Sequence, residues 1–306
     1  MTSTTTRLAR RSHRGHAVRR HLLGWLFLAP AVAFIGVFTI VPFGQSILLS
    51  FQSWDGLSAD APFVGLDNYE FVLHYDAFWD SMRNVAVFAA AGFLIGNGVA
   101  LAMATAVNRI TRGRVFFRTV FYLPGVLSVV VVGLIFSSLF NPGSGALNHV
   151  LELVGLESLQ QNWLGDPSVA LPSVAAVFIW FHWGFGFLLF LAGLQDIPRE
   201  LYEAADLDGA GGWAKFRYIT WPQLAPVTAI VSLLTLLAAL QIFGTVQVLT
   251  NGGPGDHTMV PTLLIYGEAF TNFRYGTAAA MSVIFGGTLV ILSLIQLAVS
   301  ARRSRA

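Results

Sequence analysis

The chain has 306 residues, 55% of them hydrophobic and 11% charged, with a formal net charge of +2. A soluble domain carries about 25% charged residues, so a water-soluble globule is excluded and the surplus apolar surface must face lipid. There is no cysteine, which also excludes disulfides and thiolate chemistry.

Residues 1–21 form a basic, Ser/Thr-rich tail with Arg7, Arg10, Arg11, Arg14, Arg19 and Arg20. It is expected to be disordered and to lie near anionic lipid. His13 and His16 have no helical pattern and no carboxylate partner, so the tail is not read as a metal site. The first apolar run, Leu22–Phe51, is much longer than a signal-peptide core of about 7–15 residues, and five more runs follow, so it reads as an uncleaved span. Residues 52–83 form an outer hairpin whose acids and aromatics suit a membrane surface. The second run, Asn84–Val107, carries Gly92 and Gly96 at GxxxG spacing, a close-packing face.

Phe116–Phe140 is the third run, followed by an outer loop over residues 141–170. Leu171–Gln195 is the fourth run, residues 196–222 a polar connection, and Gln223–Leu249 the fifth run. Residues 251–274 form another outer loop, which opens on Asn-Gly-Gly-Pro, a strong turn signal. Tyr275–Ser300 is the sixth run, and residues 302–306 are a short basic tail. Each run exceeds the roughly 20 residues a helix needs to cross about 30 Å of hydrocarbon. The expected fold class is an all-α membrane protein of six transmembrane helices, with one domain over residues 22–301.

Arginine and lysine set the orientation. With the N-terminus in the cytoplasm, 16 of the 18 basic residues fall on the cytoplasmic side, and only Arg83 and Arg274 do not. This fits the positive-inside rule. It puts both termini and the 196–222 connection in the cytoplasm.

The cores of the runs carry no Asp, Glu, Lys or Arg, which argues against a proton relay. Neutral polar residues do occur there, among them Asn97, Ser128, His182, Gln241 and Gln247. Each can bond a neighbouring helix; Asn97, Gln241 and Gln247 are also candidates to line a solute path. No HExxH, GxSxG or P-loop pattern is present, and Lys215 is the only lysine. If ATP drives this protein, the ATPase is a separate polypeptide.

The 196–222 connection is more specific than a linker needs to be. Asp196 is placed as an N-cap and Pro198 fits a first helical turn. Good helix formers follow, and Gly209 is placed as a stop, giving a helix of about 11 residues. Leu201, Ala204, Ala205 and Asp208 share helical spacing, and the two alanines form a small patch where a partner can approach. The residues alone leave two readings open: a helix that receives a push from a docked protein, or an amphipathic interfacial loop.

Glu203-Ala204-Ala205, three residues, Gly209, nine residues, then Ile219-Thr220-Trp221-Pro222 resembles the EAA motif of ABC importer permeases, EAA-x3-G-x9-I-x-L-P. Trp221 departs from the family's leucine. "FFRTVFYLPGVLS", "LAGLQDIPRELYEAADLDGA" and "VLTNGGPGDHT" are similar to the carbohydrate-uptake, maltose-type branch, and the likeness runs from about residue 22 to 300. The resemblance implies a multi-pass subunit of the bacterial inner membrane. It implies four partners beside membrane lipid: a second homologous permease forming a heterodimer, two cytoplasmic ATPase subunits, and an extracytoplasmic solute-binding protein. It implies no nucleic acid, no catalytic residue and no cofactor bound by this chain, with ATP and Mg used on the ATPase. Carried over by position, Glu203, Ala204, Ala205, Asp208 and Gly209 would form the ATPase-coupling helix, and Ile219 and Pro222 its exit into span five. The solute implied is a sugar or oligosaccharide; the same branch also carries glycerol phosphate. An ion-coupled secondary carrier is the alternative from another class.

Overall fold

A computed structural model describes residues 27–110 and 112–303. The 1–21 tail, the first residues of the run beginning at Leu22 and the last three residues lie outside them. Among the described residues the fold is helical, with one isolated β-bridge between Gln52 and Phe63. Four helices are long and apolar enough to cross a membrane, and two bent pairs raise the number to six if each pair is one span.

The first of these, α1, covers Phe27–Leu49. A short helix, α2 (Asp67–Leu73), precedes α3 (Asp76–Arg109). Helix α3 begins eight residues before the Asn84 boundary expected from hydropathy, because polar Asp76, Asp80 and Arg83 occupy its first turns. Its Gly92 and Gly96 lie in a π-helical turn. A Cβ on Gly92 would come within 2.9 Å of Thr235 and 3.0 Å of Phe178. Gly92 is therefore a close-packing position, whereas a Cβ on Gly96 would make only ordinary contact with Ile179, at 3.7 Å.

The third run is not one straight helix. It divides into α4 (Arg114–Val126) and α5 (Val129–Leu139), which meet at 95°. The break falls at Leu127 and Ser128, which are extended, and Pro124 opens the 3-10 turn that precedes it. Proline removes a donor and crowds the preceding turn. Within 141–170 the chain forms α6 (Ala146–Leu153), and α7 (Ala170–Asp196) then matches the fourth run.

Two short helices occupy the 196–222 connection, α8 (Arg199–Leu207) and α9 (Gly212–Gln223). The fifth run is α10 (Ala225–Leu240), a break at residues 241–243, and α11 (Gly244–Leu249). No proline causes this break. The Ile242 carbonyl it frees accepts a hydrogen bond from the Thr262 hydroxyl at 2.5 Å. A side chain from another element thus satisfies backbone that has left the helix.

The 251–274 segment, read from sequence as a loop, holds α12 (Pro261–Phe270) with Leu263, Leu264 and Ala269 buried. Ten residues are too few to register as a span, so the turn signal dominated the reading. The last helix, α13, runs over Tyr275–Arg303. Glu268 on α12 is buried at 2% exposure, with Arg274 Nη1 3.2 Å from its Oε2. The Arg274 guanidinium also lies 4.5 Å from the centre of the Phe71 ring. This explains one of the two basic residues that the charge rule leaves outside: it neutralises a buried carboxylate.

The core has two parts. One joins Phe78 and Phe88 of α3, Phe178 of α7 and Met281 of α13. The other joins Ala100 and Ala104 of α3, Phe187 and Leu191 of α7, and Leu224 with Val231. Tyr202 and Ile219, from the connection, pack against this second cluster.

The 50–54 segment is fixed to α13 by backbone contact. Tyr275 N–H donates to Trp54 O at 3.0 Å, and a Cβ on Gly276 would overlap the Gln52 carbonyl oxygen. Gly276→Ala is expected to destabilise the fold by about 1–3 kcal/mol through overpacking. A lowered thermal midpoint of the detergent-solubilised protein checks this; an unchanged midpoint contradicts it. In the same segment, Asp55 has its pKa lowered to about 2 by the Ser58 hydroxyl and by the backbone N–H groups of Ser58 and Leu57. Its folded pKa lies below the ordinary 3.8. The turn therefore keeps this contribution above that value and loses it as the pH falls toward 2.

Candidate functional site

The connection from α7 to α10 begins with a sharp exit. Helix α7 ends at Asp196, and Ile197 is extended (φ −71°, ψ 123°). Pro198 explains this, since its ring pushes the preceding residue out of the α region. Pro198 is itself extended (φ −57°, ψ 131°) and stands at the N-cap of α8. This corrects three expectations. Asp196 closes the preceding helix and caps nothing, Pro198 precedes the first turn, and α8 has nine residues rather than about 11.

The stop at Gly209 is where the sequence placed it. Gly209 has φ +74°. Ala210 N–H donates to Ala205 O at 2.8 Å, and Gly209 N–H donates to Asp206 O at 3.1 Å. These two bonds make a Schellman cap. A Cβ at Gly209 would meet nothing within 4 Å, so the demand for glycine is conformational and not steric.

Helix α8 has two unlike faces. Residues 202 and 206 are one turn apart and face the rest of the protein. Tyr202 Oη lies 2.8 Å from Thr220 Oγ1, and Thr220 is buried at 6% exposure. Asp206 pairs with Lys215 Nζ on α9. Ala205 is half-buried on the same side, so the expected Ala204–Ala205 patch is split: only Ala204 faces outward. The exposed face holds Glu200, Glu203, Ala204, Leu207 and Asp208. Leu207 is 91% exposed, an unusual position for a leucine that has a folded domain beside it.

Helix α9 carries a π-helical turn, Phe216–Thr220. Ile219 is half-buried against the second core cluster, and Pro222 is exposed. The chain then bends by 67° between α9 and α10. The bend falls at Leu224, two residues after Pro222. Leu224 is fully buried there, and Pro226 lacks the N–H that a straight helix would use.

The proposed path residues lie apart from this connection. Asn97 Oδ1 accepts from Thr235 Oγ1 at 2.8 Å, bonding α3 to α10, while its amide nitrogen is buried without a partner. Gln241 is exposed at the break after α10, and Gln247 is half-buried on α11. Sequence reasoning gave no contact of their own to Leu207, Tyr202, Asp206, Lys215 and Thr220, although Lys215 stood out as the only lysine and Thr220 lies within the Ile219–Pro222 element. Leu207 had a signal: it follows Glu200 and Glu203 at helical spacing, an apolar residue on an otherwise polar face. Thr220 had none, because its role depends on Tyr202, which is remote in sequence.

Comparison with known proteins is consistent with this geometry. The family described as "Binding-protein-dependent transport system inner membrane component" matches residues 96–305. The chain is 36% identical over 278 residues to the probable ABC transporter permease protein YurN of Bacillus subtilis, covering 90% of this chain and 95% of that one. It is 35% identical to the diacetylchitobiose uptake system permease protein NgcF of Streptomyces coelicolor, covering 88% of this chain and 80% of that one. It is 33% identical to the sn-glycerol-3-phosphate transport system permease protein UgpA of Agrobacterium fabrum, covering 90% and 93%. A chain from the crystal structure of a bacterial ABC transporter that imports the acidic polysaccharide alginate shares the fold. Its TM-score is 0.83 over 95% of this chain and 99% of that one, at 23% identity. The chain therefore belongs to the family of binding-protein-dependent transport system inner membrane components, the non-catalytic permease subunits of ABC transporters.

Proposed function

We propose that the chain forms half of the translocation path of an ATP-driven importer for a sugar or oligosaccharide. In this reading it lies in the cytoplasmic membrane of a bacterium, crosses it six times with both termini inside, and pairs with a second, homologous permease. The membrane domain covers residues 22–301, between the basic tails at 1–21 and 302–306. Two ATPase subunits bind on the α8 side and use ATP and Mg, and this chain binds no cofactor. A solute-binding protein docks on the opposite side; a related alginate transporter has been solved in complex with its loaded periplasmic protein.

One observation carries the coupling role: the exposed apolar and acidic face of α8, centred on Ala204 and Leu207, on a helix whose other face is tied to Thr220 of α9, just before the bend into α10. Glu203, Ala204, Asp208 and Gly209 form the docking element, Ala205 supports it from behind, and Ile219 and Pro222 lead into the fifth span. Closure of the ATPase dimer moves α8, and α7 and α10 rock with it. Asn97, Gln241 and Gln247 offer the path uncharged hydrogen-bonding groups, which suit a sugar.

The solute class rests on relatives named for diacetylchitobiose and for multiple sugars. Relatives named for sn-glycerol-3-phosphate support a second reading in which the partner permease supplies the positive charge. The test is calorimetric titration of the cognate binding protein with neutral oligosaccharides and with glycerol 3-phosphate, followed by uptake into proteoliposomes holding the assembled complex. Binding of the neutral sugar alone supports the first reading, and binding of the phosphate supports the second. Uptake by this chain without any ATPase would overturn both in favour of a secondary carrier.

A further inference from the structure

A docking helix transmits a push only if it cannot give way. Its C-terminal side is compliant, since Gly209, Gly211 and Gly212 all lie between α8 and the body of α9. Glycine leaves the backbone the widest conformational freedom. If the backbone were the only link on that side, these glycines would absorb the motion of α8. Side chains close the gap. The Tyr202 hydroxyl lies 2.8 Å from Thr220 Oγ1, and Thr220 Oγ1 lies 3.4 Å from the Lys215 carbonyl. Tyr202 O–H can thus donate to Thr220 while the Thr220 O–H is directed to that carbonyl. One turn along α8, Asp206 pairs with the side chain of the same Lys215.

These contacts differ in kind. The Asp206 carboxylate is 65% exposed, and an exposed ion pair contributes little and is screened by salt. The Tyr202–Thr220 bond is shielded. Thr220 is buried, the Tyr202 ring packs on the second core cluster, and Thr220 closes the π-helical turn that leads into Trp221 and Pro222. A π turn inside a helix is a frequent mark of a working segment. The Thr220 carbonyl also lies on the backbone ladder into the next helix, since Leu224 N–H donates to Thr220 O at 3.0 Å. Leu224 is the fully buried residue at the bend into α10.

We propose that the Tyr202–Thr220 hydrogen bond is the positioning link that carries motion of α8 past the glycines to the base of α10. Resting on the coupling role proposed above, it assigns transmission to two residues outside the docking face. Tyr202 and Thr220 touch neither solute nor nucleotide; they act through α10.

The test uses the absence of cysteine from the chain. Gln241→Cys, at the exposed break after α10, places a single thiol on this subunit, and its maleimide labelling rate is read on the gel-resolved band. The assembled complex of both permeases and the ATPase is compared with and without ATP plus vanadate, so no solute need be known. In Tyr202→Phe, which keeps the ring and removes the hydroxyl, the ATP-dependent change in labelling rate is expected to fall about fivefold, the effect of one lost hydrogen bond. ATP hydrolysis and ATPase co-purification stay at the level of the Gln241→Cys complex with Tyr202 intact. Thr220→Val gives the same loss, and Thr220→Ser restores the response. If the Tyr202→Phe response matches that of the complex with Tyr202 intact, the link is overturned and the docking role stands. If the ATPase binds but the reporter ignores ATP even with Tyr202 intact, the coupling role fails and the link fails with it.

Discussion

Gly209→Val is expected to abolish ATP-driven uptake while leaving the chain at normal abundance in the membrane. The residue stands at φ +74°, where an L side chain costs roughly 1–2 kcal/mol, more for a β-branched one. The Schellman bonds from Gly209 and Ala210 to Asp206 and Ala205 need that conformation. Because a Cβ here meets open space, the penalty is one of backbone conformation at the end of α8, away from the membrane core. The chain relieves the strain locally, by unwinding the last turn of α8, which displaces Leu207 and Asp208 from the docking face. Gly209→Asn separates conformation from side-chain presence, since asparagine tolerates this region of backbone space far better; it is expected to keep most of the activity. Proteoliposome uptake, with membrane abundance by immunoblot, checks both variants. Equal uptake by the valine variant and the unmodified chain would refute the role of this cap.

Leu207→Glu is the second large effect. Leu207 is 91% exposed, so burying it in a partner's groove is worth about 1.5–3 kcal/mol. A glutamate there forfeits that term and adds the cost of desolvating a charge. The ATPase is expected to be lost from the detergent-purified complex, with an affinity loss on the order of a hundredfold or more. Leu207→Met keeps volume and polarity and is expected to retain the ATPase. Because Leu207 makes no contact within the membrane core, the thermal midpoint of the isolated chain should not move. Undiminished co-purification of the ATPase with the glutamate variant would remove Leu207 from the interface.

Much of this was readable before any coordinates. The apolar runs depend on length and composition, which are local properties, and the fourth run agreed with α7 to a residue at each end. The Gly209 stop depends on one residue's backbone freedom. What misled the sequence reading were places where the membrane environment tolerates what water would not. The third run was read as one span from Phe116 to Phe140; the structure instead bends by 95° within it. The break after Leu240 had no sequence breaker, because its freed carbonyl is satisfied by Thr262, twenty residues on. The start of α8 was misplaced by the same ambiguity: Asp196 can cap a helix or end one, and the Ile197–Pro198 step decides which.

The sequence by itself determined the solvent, the number of apolar runs, the absence of a P-loop and the chemical character of the helix that ends before Gly209. Composition and local backbone preference suffice for these. Tertiary structure alone decided which face of that helix is free. It turned Ala205 inward and Leu207 outward, and it joined Tyr202 to Thr220 across 18 residues. Such pairings depend on how α8 lies against α9 and the second core cluster, and contacts between distant segments leave no periodic trace in a single chain.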